Sequence, residues 1–498
     1  MITNTSMNWM RRTKIIATLG PATDEPAALR SVLEAGVDVV RLNFSHGTPE
    51  QHLRRANLVR QFAEELGRHI GILVDLQGPK IRIARFSGDR KIQLEPGAPF
   101  AIDPALPADA GDDTQVGCCY EELPADVKAG DSLLLNDGLI ELEVESVKGS
   151  RVACRVVIGG ELSNHKGINK KGGGLSASAL TDKDRADILT AVEIGADYLA
   201  ISFPRTADDV REARSLLRTA GGDAAIVSKI ERAEALHPGV IEEIVDVSDA
   251  IMVARGDLGV EIGDAQLPWV QKQLIGMARA RNRVVITATQ MMESMIQNPQ
   301  PTRAEVFDVA NAVIDGTDAV MLSAETASGR FPDRAVAAMD RVCLEAEKHP
   351  RARQSDHRID EHFHRIDEAI AMSAMYAANH TKVCAIGALT ETGSTPLWMS
   401  RISSGIPIFA LTPHERTCRK VALFRGVYPI SFHHDTSDHA ELNRAIVEQL
   451  MALGVAKPDD LVILTKGDLT GVKGGTNAMK IARISEVLAA APQRSAAG

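Results

Sequence analysis

From position 13 onward, short apolar runs rich in β-branched residues alternate with stretches of helical spacing, the imprint of parallel strands joined by crossover helices. Eight such runs predict strands over residues 13–19, 38–44, 69–76, 198–203, 224–230, 250–254, 283–289 and 319–323. Helical spacing predicts helices over 27–35, 50–66, 206–219, 269–280, 303–312 and 335–347. Thr181 and Asp184 have the spacing of a capping box opening a further helix through Ile194. Eight strands with crossover helices predict an α/β fold of the (β/α)8 or TIM barrel type, although open doubly wound sheets alternate in the same way.

The rhythm breaks after the third strand. Residues 80–86, 132–135, 139–147 and 151–158 alternate apolar and polar positions between Gly, Pro and Asp-rich turns, which predicts a small all-β domain inserted into the βα series. The insertion is entered through Gln77-Gly78-Pro79 and left through Gly172-Gly173-Gly174, so a hinged lid is expected. Residues 350–360 are polar enough for a linker. Beyond them, helices over 367–380, 397–403, 417–424 and 440–453 alternate with strands over 383–389, 407–411, 427–431 and 460–465, and residues 477–484 are placed to close the sheet. The expected division is a barrel of residues 1–78 and 175–349, an inserted β lid of 79–174, and a C-terminal doubly wound α/β domain of 350–498.

Composition narrows the function. With 44% hydrophobic and 24% charged residues the chain is an ordinary globular protein. Aromatic residues are only 4%, and 66 acidic residues outnumber 56 basic ones, which argues against nucleic-acid binding. The net charge of −10 leaves an anionic small substrate open, because local cations dominate inside a cleft. Cys118, Cys119, Cys154, Cys343, Cys384 and Cys418 show neither CxxC nor zinc spacing and are taken as reduced thiols. The first residues lack the apolar core of a signal peptide, and no run of about 18 apolar residues occurs, so a cytoplasmic location without membrane contact is expected. GxxxxGK[ST] is absent, and the loose GxGxxG match at residues 172–177 follows lysines rather than a strand, so no dinucleotide site is expected.

Barrels build their sites at the carboxyl ends of the strands. The stretch 224–231, AAIVSKIE, ends there with Lys229 and Glu231 two apart and therefore on one face. The other strands add Arg41, Asn43 and Ser45, Asp75, Arg255-Gly256-Asp257, Thr287 and Thr289, and Ser323 and Glu325. Glu231 and Asp257 are hard oxygen donors on adjacent strands, suited to Mg²⁺ or Mn²⁺ with water and substrate oxygens. Lys229 is placed to neutralise charge on a transferring group, Arg41 and Arg82 are planar forks for phosphate, and the Gly256 and Asp257 amides open a turn that accepts an anion. The structural alternatives are a strand-end salt bridge for Lys229 and helix capping for the acids. His46 has no nucleophile partner, the methionines of 291–295 read as packing, and the histidines of 361–364 and 433–434 read as surface.

Taken together, TKIIATLGPAT, RLNFSHG, DLQGPKIR, HKGINKKGGG, SKIER, ARGDLGVEI, TATQMMESM and MLSAETASG, in this order between Thr13 and Gly329, resemble pyruvate kinase, in its bacterial form. The resemblance implies phosphoryl transfer from phosphoenolpyruvate to ADP, giving pyruvate and ATP, with Lys229 stabilising the transition state and Glu231 and Asp257 holding the divalent metal. It implies that Arg41, Lys229, Gly256, Asp257 and Thr289 engage the substrate, with Thr289 in the region that delivers a proton to the enolate. Asn43, Arg82 and the lid residue Lys166 match nucleotide-contacting positions, and a homotetramer is implied. Asn43, Ser45, Asp75 and the position of Leu76 suggest the family's potassium region. Potassium-dependent members usually have threonine at Leu76 and carry glutamate at Lys80, so K⁺ is expected not to be required. Thr390, Thr392, Gly393, Ser394 and Thr395 form a hydroxyl-rich strand-to-helix turn, either an ordinary capping loop or an effector site for a sugar phosphate or nucleotide. The competing readings are a metal-dependent aldolase acting on pyruvate, for which a nucleotide-covering insertion is unneeded, and a metabolite-sensing scaffold, for which intact strand ends are unneeded.

Overall fold

The computed structural model describes residues 11–353, 362–434, 436, 438–468 and 474–489. Residues 1–10, most of the expected linker (354–360) and Glu361 lie outside the described residues. Eight parallel strands close a barrel: β1 (Lys14–Leu19), β2 (Val39–Asn43), β3 (Gly71–Asp75), β4 (Tyr198–Ile201), β5 (Ala225–Ile230), β6 (Ala250–Ala254), β7 (Val284–Ala288) and β8 (Ala319–Leu322). Each strand neighbours its sequence neighbours, and β1 pairs with β8. The capping box at Thr181 and Asp184 opens the helix Asp182–Ile194. The helix Val240–Val247 was not anticipated, although its buried Ile241, Ile244 and Val245 follow helical spacing.

Two strands end earlier than their apolar runs suggest. β4 stops at Ile201 and β7 at Ala288, because Phe203 (φ +57°), Thr289 (+65°) and Gln290 (+53°) turn into the left-handed region. Non-glycine residues pay steric strain there, and it collects at functional loops. Inward-facing positions climb the barrel from apolar to polar. Tyr198 and Ala200 give way to Ser202, Ala225 and Val227 to Lys229 and Glu231, and Val39 to Arg41.

At the opposite, amino-terminal rim the same device occurs four times. Asp38, Asp197, Asp249 and Asp318 each precede an even-numbered strand, and each carboxylate accepts the amide of a residue in the preceding odd strand. These amides are those of Ile15 at 2.8 Å, Ile72 at 2.9 Å, Ile226 at 2.8 Å and Val285 at 2.9 Å. Each aspartate also meets an arginine: Arg11, Arg60 with Arg419, Arg214, and Arg401.

Arg401 and Arg419 belong to the C-terminal domain, whose five-stranded sheet has its first strand in the middle, flanked by the second and fourth, with the third and fifth at the edges. Its strands are β9 (Val383–Leu389), β10 (Ile408–Thr412), β11 (Val427–Ser431), β12 (Leu461–Gly467) and β13 (Thr476–Arg483). The edge strand β13 runs antiparallel to β12. Alternate residues face two layers: Ile386 and Ala388 join an apolar cluster continuous with the barrel interior, whereas Ala385 and Leu464 pack with Leu442 and Ile446 of the helix His439–Ala452.

The inserted segment forms a six-stranded sheet, in the order Ile168–Lys170, Ser132–Leu135, Ile140–Lys148, Arg151–Ile158, Pro99–Ile102 and Gln115–Val116. Residues 80–86, expected as a strand, form only isolated bridges, Arg82 to Gly167, Ile83 to Cys118 and Phe86 to Gly111, because loops rather than a continuous partner strand lie alongside. The triple glycine is held rather than loose. All three residues have φ between +79° and +96°, Gly172 donates its amide to Glu261 O at 2.9 Å, and Gly174 donates to Glu234 Oε2 at 3.2 Å. All six cysteines are free, and among the described residues no helix is long and apolar enough to cross a membrane.

Candidate active site

Lys229 stands on β5 with its ammonium against three acceptors: Ser202 Oγ at 2.7 Å, Glu231 Oε1 at 2.9 Å and Asp75 Oδ1 at 3.3 Å. An ammonium has three N–H groups, so all are engaged. Burial disfavours its charge, but Asp75 and Glu231 outweigh burial and raise its proton affinity above the ordinary lysine value. Asp75, on β3, is fully buried. Burial opposes its ionisation, yet Lys229 and Arg41 hold its carboxyl below the usual range, and Arg41 Nε donates to Asp75 Oδ2 at 2.6 Å. A second Arg41 nitrogen donates to Thr18 Oγ1 at 3.1 Å, so two neighbouring strands fix the guanidinium.

Glu231 is buried beside Lys229, and its second oxygen accepts the Phe203 amide at 2.8 Å. Burial, reinforced by the Asp257 charge, pushes its carboxyl up despite Lys229. Burial likewise raises Asp257, against Lys229 and Lys80. A buried carboxyl, Glu231, and a half-buried one, Asp257, that repel each other are relieved by a cation. Among the described residues no group of three or more His, Cys, Asp or Glu side chains is placed to hold a metal. That donor set suits Mg²⁺ or Mn²⁺, which takes one or two carboxylates and completes its shell with water and phosphate oxygens, and does not suit an all-protein zinc site.

Arg255-Gly256-Asp257 opens the helix Arg255–Ile262 directly after β6. The Gly256 amide, expected to meet an anion, donates to Thr289 Oγ1 at 2.9 Å, and the Thr289 hydroxyl donates to Ala288 O at 2.6 Å. Asn43 pairs in register with Asp75, and its side-chain oxygen accepts the Ser45 amide at 3.1 Å. The Leu76 carbonyl accepts the Ser202 hydroxyl at 2.8 Å. The cations in contact with Asp75 are Arg41 and Lys229, whereas Lys80 acts on Asp257 and Asp75 through space. Burial, Arg82 and Lys229 together lower the proton affinity of Lys80.

A cleft of about 500 Å³ lies between the inserted domain and the barrel, lined by Lys80, Arg82 and Lys166 on one side and by Phe203, Asp257 and Glu261 on the other. Arg82 donates to His165 O at 3.3 Å within the inserted domain. Sequence reasoning missed Glu261, whose carboxyl burial pushes up to about 7 and which accepts the Ala233 amide at 2.8 Å. It also missed Ser202 and Phe203. The signal for Ser202 was present, since it continues the inward alternation of Tyr198 and Ala200. Met291, Met292 and Met295 are fully buried around the 3-10 turn Glu293–Ile296, in keeping with packing.

In the C-terminal domain, Gly393 (φ +83°) precedes the helix Ser394–Ser400, and the hydroxyls of the expected effector loop bond among themselves and their neighbours. Thr390 Oγ1 accepts the Gly393 amide, Thr392 pairs with Ser394, and Thr395 pairs with Thr476.

Residues 10–336 match the family model "Pyruvate kinase, barrel domain", and residues 368–482 match "Pyruvate kinase, alpha/beta domain". The chain is 57% identical over 474 residues to "Pyruvate kinase II" of Salmonella typhimurium, covering 95% of this chain and 98% of that protein. It is 56% identical over 460 residues to the "Pyruvate kinase" of Haemophilus influenzae, covering 92% and 96%. A "Pyruvate kinase" of Buchnera aphidicola is 54% identical over 476 residues, covering 95% and 99%.

Proposed function

The chain belongs to the pyruvate kinase family, and from that premise we propose that it transfers the phosphoryl group of phosphoenolpyruvate to ADP, giving pyruvate and ATP, at the cleft between the barrel and the inserted domain. Family membership sets the aldolase reading aside. The observation that carries the proposal is the cluster of Lys229, Asp75, Arg41 and Glu231 at the strand ends.

Phosphoryl transfer is chiefly positioning and electrostatics. Lys229 supplies fixed positive charge to the equatorial oxygens of the moving group. Arg41, locked to Asp75 and Thr18, supplies a second cation that needs no reorganisation. Thr289, in a left-handed turn, presents its hydroxyl beside Gly256 where the enolate forms, and proton delivery to that carbon runs through water in this region. Arg82 and Lys166, which line the cleft, and Asn43, at the carboxyl end of β2, bind the nucleotide, with the inserted domain, residues 79–174, acting as the lid. Glu231 and Asp257 would hold Mg²⁺ or Mn²⁺, which would supply Lewis-acid charge to the reaction.

Lys80 supplies through space the positive charge that K⁺ gives other members, so K⁺ is not required. A coupled assay of pyruvate formation from phosphoenolpyruvate and ADP tests both ions. Activity should vanish on chelating Mg²⁺ and return with Mg²⁺ or Mn²⁺. In potassium-free buffer, added K⁺ should change the rate less than about twofold, against the large activation that a missing fixed cation would give. No product in any condition would end the proposal, and strong K⁺ activation would end the Lys80 part alone.

The chain is proposed to be a cytoplasmic homotetramer. Two separate sets of exposed apolar side chains support this: Trp269 and Phe307 on the barrel helices Leu267–Ala280 and Arg303–Asp315, and Ile366, Tyr376 and Ile481 on the C-terminal domain. A dihedral tetramer needs two different self-complementary patches, and sedimentation mass reads the outcome directly. Residues 390–395 are proposed as the site of a phosphorylated effector. Adding a sugar phosphate or nucleoside monophosphate should make phosphoenolpyruvate saturation less sigmoidal, and curves unaltered by every such compound would count against it.

A further inference from the structure

Ser202 is 2% exposed at the tip of β4, and its hydroxyl donates to Leu76 O at 2.8 Å, the near acceptor, with Asp75 Oδ1 farther at 3.5 Å. With the proton fixed there, the lone pairs of Oγ face Lys229, whose ammonium donates to it at 2.7 Å, the shortest of its three contacts. The other two acceptors, Asp75 and Glu231, are anions. They supply attraction but little direction, and Glu231 is also proposed to serve the divalent cation. A neutral acceptor orients the ammonium without cancelling the charge that the phosphoryl group needs.

The neighbourhood is built around this contact. Phe203 takes a strained left-handed conformation, φ +57°, and its amide donates to Glu231 Oε2, so two consecutive residues grip both functional side chains of β5. Gly78, at the entrance to the inserted domain, has φ +66°, and a Cβ there would lie 2.7 Å from Ser202 Cβ. Glycine at that position therefore gives Ser202 its space as well as making the turn.

We propose that Ser202 is a positioning residue for phosphoryl transfer, aiming the Lys229 ammonium at the transferring group through a hydroxyl locked on the Leu76 carbonyl. The inference rests on the role proposed for Lys229. A positioning hydrogen bond to a charged group acts on the reacting geometry more than on the affinity for either substrate.

The test is Ser202→Ala. At saturating Mg²⁺, kcat should fall about tenfold while KM for phosphoenolpyruvate and for ADP stays within about twofold, since a hydrogen bond to a charged group is worth roughly that factor. In the absence of substrates, reductive methylation by formaldehyde and borane, followed by peptide mass spectrometry, should label Lys229 several-fold faster in the variant than in the wild type. Labelling of Lys91, whose side chain is 62% exposed, should be equal in both and serves as the control. A kcat within twofold of wild type, unchanged labelling of Lys229, or losses of kcat, KM and melting temperature together would each overturn the proposal. An inactive wild-type protein would instead sink the function assigned to Lys229, and the labelling comparison would still decide whether Ser202 holds it.

Discussion

Lys229→Met should lower kcat by at least about three decades, the scale of a charge clamp in phosphoryl transfer. Methionine fills nearly the same volume with an uncharged thioether, so packing at the end of β5 is kept while the ammonium is lost. Asp75 keeps Arg41 at 2.6 Å and Glu231 keeps the Phe203 amide at 2.8 Å, so neither carboxylate is left without a partner. KM for phosphoenolpyruvate should therefore change by far less than kcat, the pattern of an interaction realised mainly in the transition state. The coupled assay with enough enzyme to read slow turnover decides it. A loss smaller than about tenfold would remove Lys229 from the chemistry and leave it a structural ion pair.

Arg401→Ala should be the most destabilising single change outside the site. Arg401 and Asp318 are each 1% exposed, and the guanidinium holds both carboxylate oxygens while donating to Arg283 O at 2.6 Å. Removing one partner of a buried pair leaves an uncompensated charge, at about 3–5 kcal/mol. Asp318 keeps the amides of Val285 at 2.9 Å and Arg425 at 3.1 Å, which places the effect toward the lower part of that range. Scanning calorimetry should show the midpoint lowered by roughly 10 °C for a cooperative unit of about 200 residues. Adding Asp318→Asn should recover part of the loss, because the orphaned charge is then gone. A midpoint within about 1 °C of wild type would show that water or another cation replaces the arginine at negligible cost.

The barrel was legible because its strands are buried on both faces and read as unbroken apolar runs, and because Arg41 with Asn43, and Lys229 with Glu231, keep the two-residue phase that places them on one face. Ser202 was in phase as well, inside the run 198–203 expected as a strand, but an uncharged serine there does not mark itself as functional. Only the Lys229 contact gives it a task. The amino-terminal aspartates were not legible because barrel chemistry sits at the carboxyl ends of strands, and because three of their arginines, Arg60, Arg401 and Arg419, come from more than 80 positions away. The segment 80–86 misled for a different reason. Period-two alternation reports which side chains are buried, and isolated bridges to loops produce the same alternation as a ladder. In the hydroxyl-rich turn at 390–395, Thr392 pairs with Ser394 and Thr395 with Thr476, contacts between residues that the sequence does not mark as neighbours in space.

The two aspartates gripped by the C-terminal domain, Asp197 before β4 and Asp318 before β8, stand four strands apart in a ring of eight, hence across a diameter. Two pins on opposite sides of the barrel floor resist rotation of the domain, together with Lys14 on Val427 O and Arg425 on Thr317 O. Any shift between the helix bearing Arg419 and the segment bearing Arg401 must then pull on facing staves of the barrel and change its ovality. The same two staves end at Ser202 and Ser323, on the rim where substrate is handled.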